Sequence, residues 1–255
     1  VGLPDNAVKE SEQRIRAAFG NSGERMSGRK VVVNLAPADL RKEGSGFDLP
    51  IAVGILAAME RVAAGAVADT MFVGELSLDG SLKPVRGVLP LAIRARDAGL
   101  RRIVLPADNA AEATLAEGLT VYGVPDVSAL VAHLKNEAPL TPAPVWTLAP
   151  EEGSLPDLQD VMGQENVKRA LEIAAAGGHN LLLIGSPGAG KSMLARRLPS
   201  ILPDMTREEA LESTEIWSVA GLTDSKHPML TQRPFRSPHH TLSAAAMSGG
   251  GRALS

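Results

Sequence analysis

An α/β fold in two domains is the class this sequence predicts, and three observations carry it. Between residues 70 and 136, apolar runs of strand length alternate with runs of helical period. At 181–198, "LLLIGSPGAGKSMLARRL" places an apolar run, a glycine turn and a helical pattern in direct succession, the way a nucleotide-binding α/β sheet begins. Between them lies a stretch in which Pro139, Pro142, Pro144, Pro150 and Pro156 interrupt helix and ladder hydrogen bonding alike. The expected organisation is a first domain over 1–136, a linker over 137–157 and a second domain over 158–255.

Taken in order, Asp5 is placed to cap a helix whose apolar residues Val8, Ile15, Ala18 and Phe19 share one side, with Gly20 and Gly23 ending it. "KVVVNLAP" (30–37) reads as a strand, and "FDLPIAVGILAAMERV" (47–62), apolar nearly all round, reads as a buried helix. In "MFVGELSLDGSLKPV" two extended runs flank Asp79-Gly80, a pair that tolerates the positive φ of a tight hairpin. "GVLPLAIRARDAG", "RRIVLP", "DNAAEATLAEG", "LTVYGV" and "DVSALVAHLKN" continue as helix, strand, helix, strand and helix. Past the linker, "GQENVKRALEIAAAGG" is a helix closed by glycines, and "HNLLLIG" is the strand that feeds the turn. The chain shows no internal repeat and no low-complexity tract.

Composition excludes more than it selects. The 255 residues are 44% hydrophobic, enough for real cores, and 26 basic against 29 acidic side chains leave a net charge of −3 with no global pull toward nucleic acid or anionic membrane. The absence of cysteine removes disulfides and thiolate metal sites, which suits a cytoplasmic location. No run approaches the roughly 18 apolar residues of a membrane span, so no membrane partner is expected. Aromatics make up only 3% of the chain, so stacking platforms for single-stranded nucleic acid are scarce, and any contact with DNA should be to phosphates.

The residues that carry chemistry lie in Gly185-Ser186-Pro187-Gly188-Ala189-Gly190-Lys191-Ser192, which meets G-x-x-x-x-G-K-[ST] at every fixed position. Gly185 and Gly190 keep side chains out of the way of a phosphate, and successive N–H groups then point inward at the start of a helix. Lys191 is placed to reach β and γ phosphates, and the Ser192 hydroxyl to take one position on Mg²⁺. ATP with Mg²⁺ is therefore the expected cofactor. Hydrolysis needs an acid at the end of an apolar strand. After Ser192 the acids are Asp204, Glu208, Glu209, Glu212, Glu215 and Asp224, the first five in or beside a helix-like run and the last in a polar loop. Nucleotide binding without efficient turnover is the expectation for this chain.

Several blocks in this order resemble one family. "VGLPDNAVKES", "VNLAPADLRKEGSGFDLPIAVGILAA", "VGELSLDGSLKPVRGVLPLA", "LPADNAAEA", "GQENVKRALEIAAAGGHNLLLIGSPGAGKS" and "RPFRSPHHTLS" are similar to the magnesium-chelatase-like AAA+ proteins of the ComM (YifB) type. The resemblance implies a Lon-protease-like α/β domain of the ribosomal S5 domain 2 type, followed by part of a P-loop AAA+ domain. It implies a homo-hexameric, ATP-driven DNA motor of the helicase or branch-migration kind, acting in recombination or natural transformation. Gly163 and Gln164 would lie near the adenine, and Arg233, Arg236, His239 and His240 would belong to an inserted hairpin facing DNA or the central pore. Members of the family begin some thirty residues earlier and continue past "GGG", so the sequence, which starts at Val1, is expected to be a fragment truncated at both ends. Two alternatives from other classes remain: a chelatase motor that drives a metal into a tetrapyrrole through a partner subunit, and a non-catalytic nucleotide-binding module.

Two further constellations are weaker. A Lon-type peptidase pairs a serine with a lysine of lowered pKa. Gly46 stands where the resemblance places the serine and Leu89 where it places the lysine, and Ser45 with Lys42 or Lys83 is a poor substitute, so peptidase activity is not expected. His239-His240 point to opposite faces if extended and have no ligand-spaced neighbour, which favours a polar basic loop over a metal site.

Overall fold

The computed structural model describes residues 3–24, 26, 30–37, 39–147, 156–239 and 241–243. It is an α/β chain that divides into two compact units, one comprising Val1–Trp146 with Thr214–Met229, the other Thr147–Ser213 with Leu230–Ser255.

The first unit opens with α1 (Asn6–Asn21), whose first turn is closed by the Asp5 carboxylate accepting from the Val8 N–H at 2.8 Å. Val8, Ile15, Ala18 and Phe19 are buried, as their spacing demands. A 3₁₀ turn at Ser45–Phe47 leads into α2 (Asp48–Ala58), which buries Leu49, Ala52, Val53, Ile55 and Leu56 on several sides. After the single turn of α3 (Ala64–Val67) come β1 (Thr70–Phe72), β2 (Glu75–Leu76), β3 (Leu82–Lys83), α4 (Val88–Asp97) and β4 (Arg102–Pro106). A 3₁₀ turn, α5 (Ala110–Ala113), β5 (Thr120–Val124) and α6 (Val127–Leu134) complete the run. The sheet is ordered β1-β4-β5 and is parallel throughout, with Met71 beside Ile103 and Ile103 beside Val121. Its middle strand buries Ile103, Val104 and Leu105 in succession, the continuous apolar run of a strand covered on both faces. β2 and β3 form the expected hairpin, Leu76 opposite Leu82. Gly80 takes φ 92° in the turn, and the Asp79 carboxylate accepts from the Ser81 N–H and hydroxyl, which holds its pKa below the ordinary value.

Three expectations are corrected. "KVVVNLAP" is not a strand: among the described residues no neighbour forms a ladder with it, and Val31 and Val32 stay exposed. Likewise "HNLLLIG" forms no ladder with any described residue, and Leu182 is 81% and Ile184 86% exposed. Apolar content gives the propensity for a strand, but only a partner's N–H and C=O groups make one. "DNAAEATLAEG" yields only a 3₁₀ turn at Ala107–Asn109 and the short α5. Its polar side chains are drawn into backbone bonds elsewhere: Asn109 bonds both polar groups of the Val85 backbone, and buried Glu112 accepts from the Leu89 N–H at 3.1 Å.

The linker is tethered along its first part. Leu140 N–H donates to His133 Nδ1 at 3.0 Å, Ala143 N–H to the Val121 carbonyl at 2.8 Å, and Trp146 N–H to the Thr114 hydroxyl at 3.0 Å. Thr214–Met229, which the sequence reading puts in the second domain, also packs in the first unit. There the Ser218 carbonyl accepts from Gly87 N–H at 3.0 Å, and Thr223 Oγ1 donates to Glu112 at 3.3 Å.

One ion pair joins three elements of this unit. Asp48, fully buried, receives Arg14 Nε at 2.6 Å, Arg14 Nη2 at 2.9 Å and the Leu76 N–H at 3.0 Å. The bond to Asp48 raises the Arg14 pKa further above its ordinary value. Removing one partner strands a buried charge, so Arg14→Ala should cost about 3–5 kcal/mol in urea unfolding, while Arg16→Ala, which loses only an exposed pair with Glu12, should cost under about 1 kcal/mol.

His133 gives the unit a pH dependence. Burial, with a smaller contribution from Arg102, holds its pKa below 6.5. Its Nδ1 must also stay unprotonated to accept from Leu140. The folded state therefore resists a proton that the unfolded chain takes up, and stability falls as the pH drops below 6.5. Urea midpoints measured from about pH 7 to about pH 5 should show this loss, and His133→Gln, which keeps an acceptor but does not titrate, should flatten that part of the slope.

Candidate phosphate-binding site

The second unit is held by a small core. Leu158 and Val161 at a 3₁₀ turn (Leu158–Asp160), Leu171 on α7 (Glu165–Gly177) and Leu194 on α8 (Lys191–Ala195) are buried together. Val167, Leu183 and two residues at the ends of α9 (Leu198–Ile201) pack around them. The 3₁₀ turn carries a reciprocal cap, with Asp157 accepting from Gln159 N–H and Asp160 from Asp157 N–H. Arg197 ties this turn to α8, its Nε donating to the Asp157 carbonyl at 2.9 Å and its Nη1 to the Met193 carbonyl at 3.1 Å. Only the fold shows that Arg197 is a clasp.

The turn over 185–192 lies at the edge of this core. Gly185, Ser186, Pro187, Gly188 and Ala189 are exposed, and Lys191 is the first residue of α8. Gly188 and Gly190 have φ of 83° and 79°, a region other L-residues enter at a cost of about 1–2 kcal/mol. Gly190 is also crowded: a Cβ there would stand 3.3 Å from Met193 Cε and 3.4 Å from Gln164 Nε2. At Gly185 a Cβ would make only ordinary contacts, 3.6 Å from Ala189 Cβ and 3.9 Å from Lys191 Cδ. The Lys191 ammonium donates to the carbonyls of Gly185 and Ser186, each at 2.8 Å, so the motif's own lysine lies over its own turn. The Ser192 side chain is exposed beside it. Gly163 (φ 70°) and Gln164 (φ 58°) turn the chain into α7, and Gln164 comes up against Gly190. The fold thus brings 163–164 and 185–192 into one place.

The other sequence candidates lie apart from it in the chain. Arg233 is engaged structurally, donating to the Pro203 carbonyl at 2.7 Å and to Glu209 at 2.8 Å. Glu209 closes the first turn of α10 (Arg207–Ala220) through Thr206. Arg236 is exposed, His239 Nδ1 lies 2.7 Å from the Thr241 hydroxyl, and His240 falls outside the described residues. No strand pairing is present among the described residues of 230–243. Glu208, Glu209, Glu212 and Glu215 lie on α10, and Asp224 is occupied by the N–H groups of Lys226 and His227. In the first unit Ser45 donates to Glu75, Lys42 Nζ to the carbonyls of Pro37 and Leu40, and Leu89 is buried.

Comparison with known proteins narrows the family. A model described as subunit ChlI of Mg-chelatase matches residues 1–109, and one described as magnesium chelatase, subunit ChlI, matches 157–255. The YifB protein of Escherichia coli is 47% identical over 251 residues, covering 98% of this chain and 49% of that protein. The chain belongs to the magnesium-chelatase-like family of the ComM and YifB type. Another relative in this family, the competence protein ComM of Haemophilus influenzae, is 43% identical over 258 residues, 98% of this chain and 50% of its own. An archaeal Lon protease of Archaeoglobus fulgidus is 41% identical over 54 residues, 21% of this chain and 9% of that enzyme. The chain spans about half the length of the family relatives it matches. Among the described residues no helix is long and apolar enough to cross a membrane.

The two glycines separate a fold constraint from a ligand constraint. Gly190→Ala should lower the unfolding free energy of this unit by about 1–2 kcal/mol, through φ and through Met193 and Gln164. Gly185→Ala should leave it within about 0.5 kcal/mol of wild type. Chemical denaturation of the two variants is the check.

Proposed function

We propose that the turn over 185–192 binds the triphosphate of ATP with Mg²⁺, and that the chain is the nucleotide-binding part of a DNA motor. The observation that carries the reading is Lys191, set at the start of α8 behind two left-handed glycines, with its ammonium held, among the described residues, by two neutral carbonyls. A carbonyl oxygen carries only a partial charge and a phosphate oxygen a share of a full negative one, so Coulomb attraction would draw that ammonium off the Gly185 and Ser186 carbonyls toward a phosphate. The exposed amides of the turn would hold the phosphates, and Ser192 would supply one oxygen to Mg²⁺. The magnesium would neutralise charge between phosphates. The acids that follow Ser192 lie on α10 or in loops, so binding without efficient hydrolysis is the activity proposed for this chain.

In this reading the first unit is a Lon-like domain that serves as scaffold or DNA contact and the second is the P-loop part of an AAA+ domain. Family membership and the name of the competence protein support an ATP-driven, hexameric role on DNA in the cytoplasm. The occupied Ser45 and Lys42 side chains support a non-proteolytic first unit. The descriptions of the two matching family models favour a second reading, a chelatase motor. Metallation of a porphyrin that depends on this protein would select it, whereas DNA affinity that falls steeply with salt would select the first.

The wild-type chain should bind ATP-γ-S in calorimetry and Lys191→Ala should lose at least about tenfold in affinity, the worth of a hydrogen bond to a charged group. Equal affinity of the two would remove the assignment.

A further inference from the structure

Arg197 joins the two strips of chain that frame the turn over 185–192. Its backbone belongs to the first strip: the N–H donates to the Leu194 carbonyl at 3.0 Å, closing α8, and the carbonyl accepts from the Ser200 hydroxyl at 2.7 Å in α9. Because that N–H goes to Leu194, the Met193 carbonyl is left for the residue's own guanidinium, with Nη1 at 3.1 Å. Nε reaches the second strip at the Asp157 carbonyl, 2.9 Å away. Asp157 is held in turn: its carboxylate accepts from Gln159 N–H, its N–H donates to Asp160, and Val161 N–H closes the turn on the Leu158 carbonyl at 3.0 Å. Met162 alone separates this block from Gly163 and Gln164, which the fold brings to the phosphate turn.

The buried contact among Leu158, Val161 and Leu194 draws the two strips together, but apolar contact is non-directional and leaves them free to slide. Two hydrogen bonds from one planar guanidinium fix an angle as well as a distance. Such a clasp matters most to a ligand that touches both strips. A nucleotide with its phosphates on 185–192 would carry its nucleoside end beside 163–164, where the resemblance also places the base. We propose that Arg197 is a positioning residue that keeps the base side of the site, 163–164, in register with its phosphate side, 185–192. This rests on the reading of 185–192 as a phosphate site. Arg197 acts by preorganisation: one ligand meets both sides without first drawing them into place.

Calorimetry on the whole chain with Mg²⁺, with ATP and inorganic tripolyphosphate as probes, separates register from general stability. Binding is measured where urea denaturation shows each variant fully folded, so that a role in stability alone leaves both affinities as in wild type. Arg197→Ala should weaken ATP about tenfold and tripolyphosphate less than about twofold, because only ATP spans both sides. Arg197→Lys, which keeps the charge without the planar fork, is the milder variant should Arg197→Ala not fold, and it should show the same pattern in smaller measure. Equal factors for ATP and tripolyphosphate, or wild-type affinity for both, would overturn the proposal. Lys191→Ala keeps the two readings distinct. If it binds tripolyphosphate as tightly as wild type, or wild type does not bind it, the phosphate site itself falls. If it loses tripolyphosphate while Arg197→Ala binds ATP as wild type does, only the role of Arg197 falls.

Discussion

Leu194 is the side chain on which the geometry of the second unit turns. Buried against Leu158, Val161 and Leu171, it pins a five-residue helix that could not persist alone, since isolated helices shorter than about 12 residues are marginal in water. Burying one such leucine contributes about 1.5–3 kcal/mol. The same contact sets the direction in which Gly190 and Lys191 leave the turn, and it holds α7 close enough for Gln164 to arrive beside them. Arg197 reinforces the arrangement with bonds to the Asp157 and Met193 carbonyls, so the turn is fastened through its neighbours.

The first unit solves a different problem by a comparable device. Asp48, fully buried at the start of α2, is paid for by the Arg14 guanidinium from α1 and the Leu76 N–H from the hairpin. A charge in that position is tolerated only with all its partners in place, which makes it a register pin between three elements as well as a source of stability. Around it, side chains that might have formed a Ser-Lys pair are spent on structure: Ser45 on Glu75, Lys42 on two backbone carbonyls.

What could be read from the sequence was whatever depends on local physics. The Asp5 cap, the buried face Val8, Ile15, Ala18 and Phe19, the parallel strands "RRIVLP" and "LTVYGV", and the turn at Asp79-Gly80 all follow from spacing and residue type, and the structure has them. The apolar runs at 31–36 and 181–184 carry the same local signal without becoming strands, because a ladder is a property of two segments and the described residues supply one. The site divides in the same way. Its motif is legible because each fixed position answers to a local demand, such as the positive φ of Gly190. The clasp made by Arg197 and the approach of Gln164 are tertiary facts with no signature in their neighbours. Two consecutive residues in the left-handed region at 163–164, only one of them glycine, give a sequence no hint at all.

The account rests on backbone amides of 188–192 closing on a polyphosphate while the Leu194 core stays as it is. Hydrogen–deuterium exchange of the whole chain, with and without saturating ATP-γ-S and Mg²⁺, tests this most directly. The expected result is slowed exchange concentrated in the peptide that spans 188–192, with amides of α10 unchanged. Saturation of the chain with nucleotide while that peptide exchanges at its free rate would contradict it.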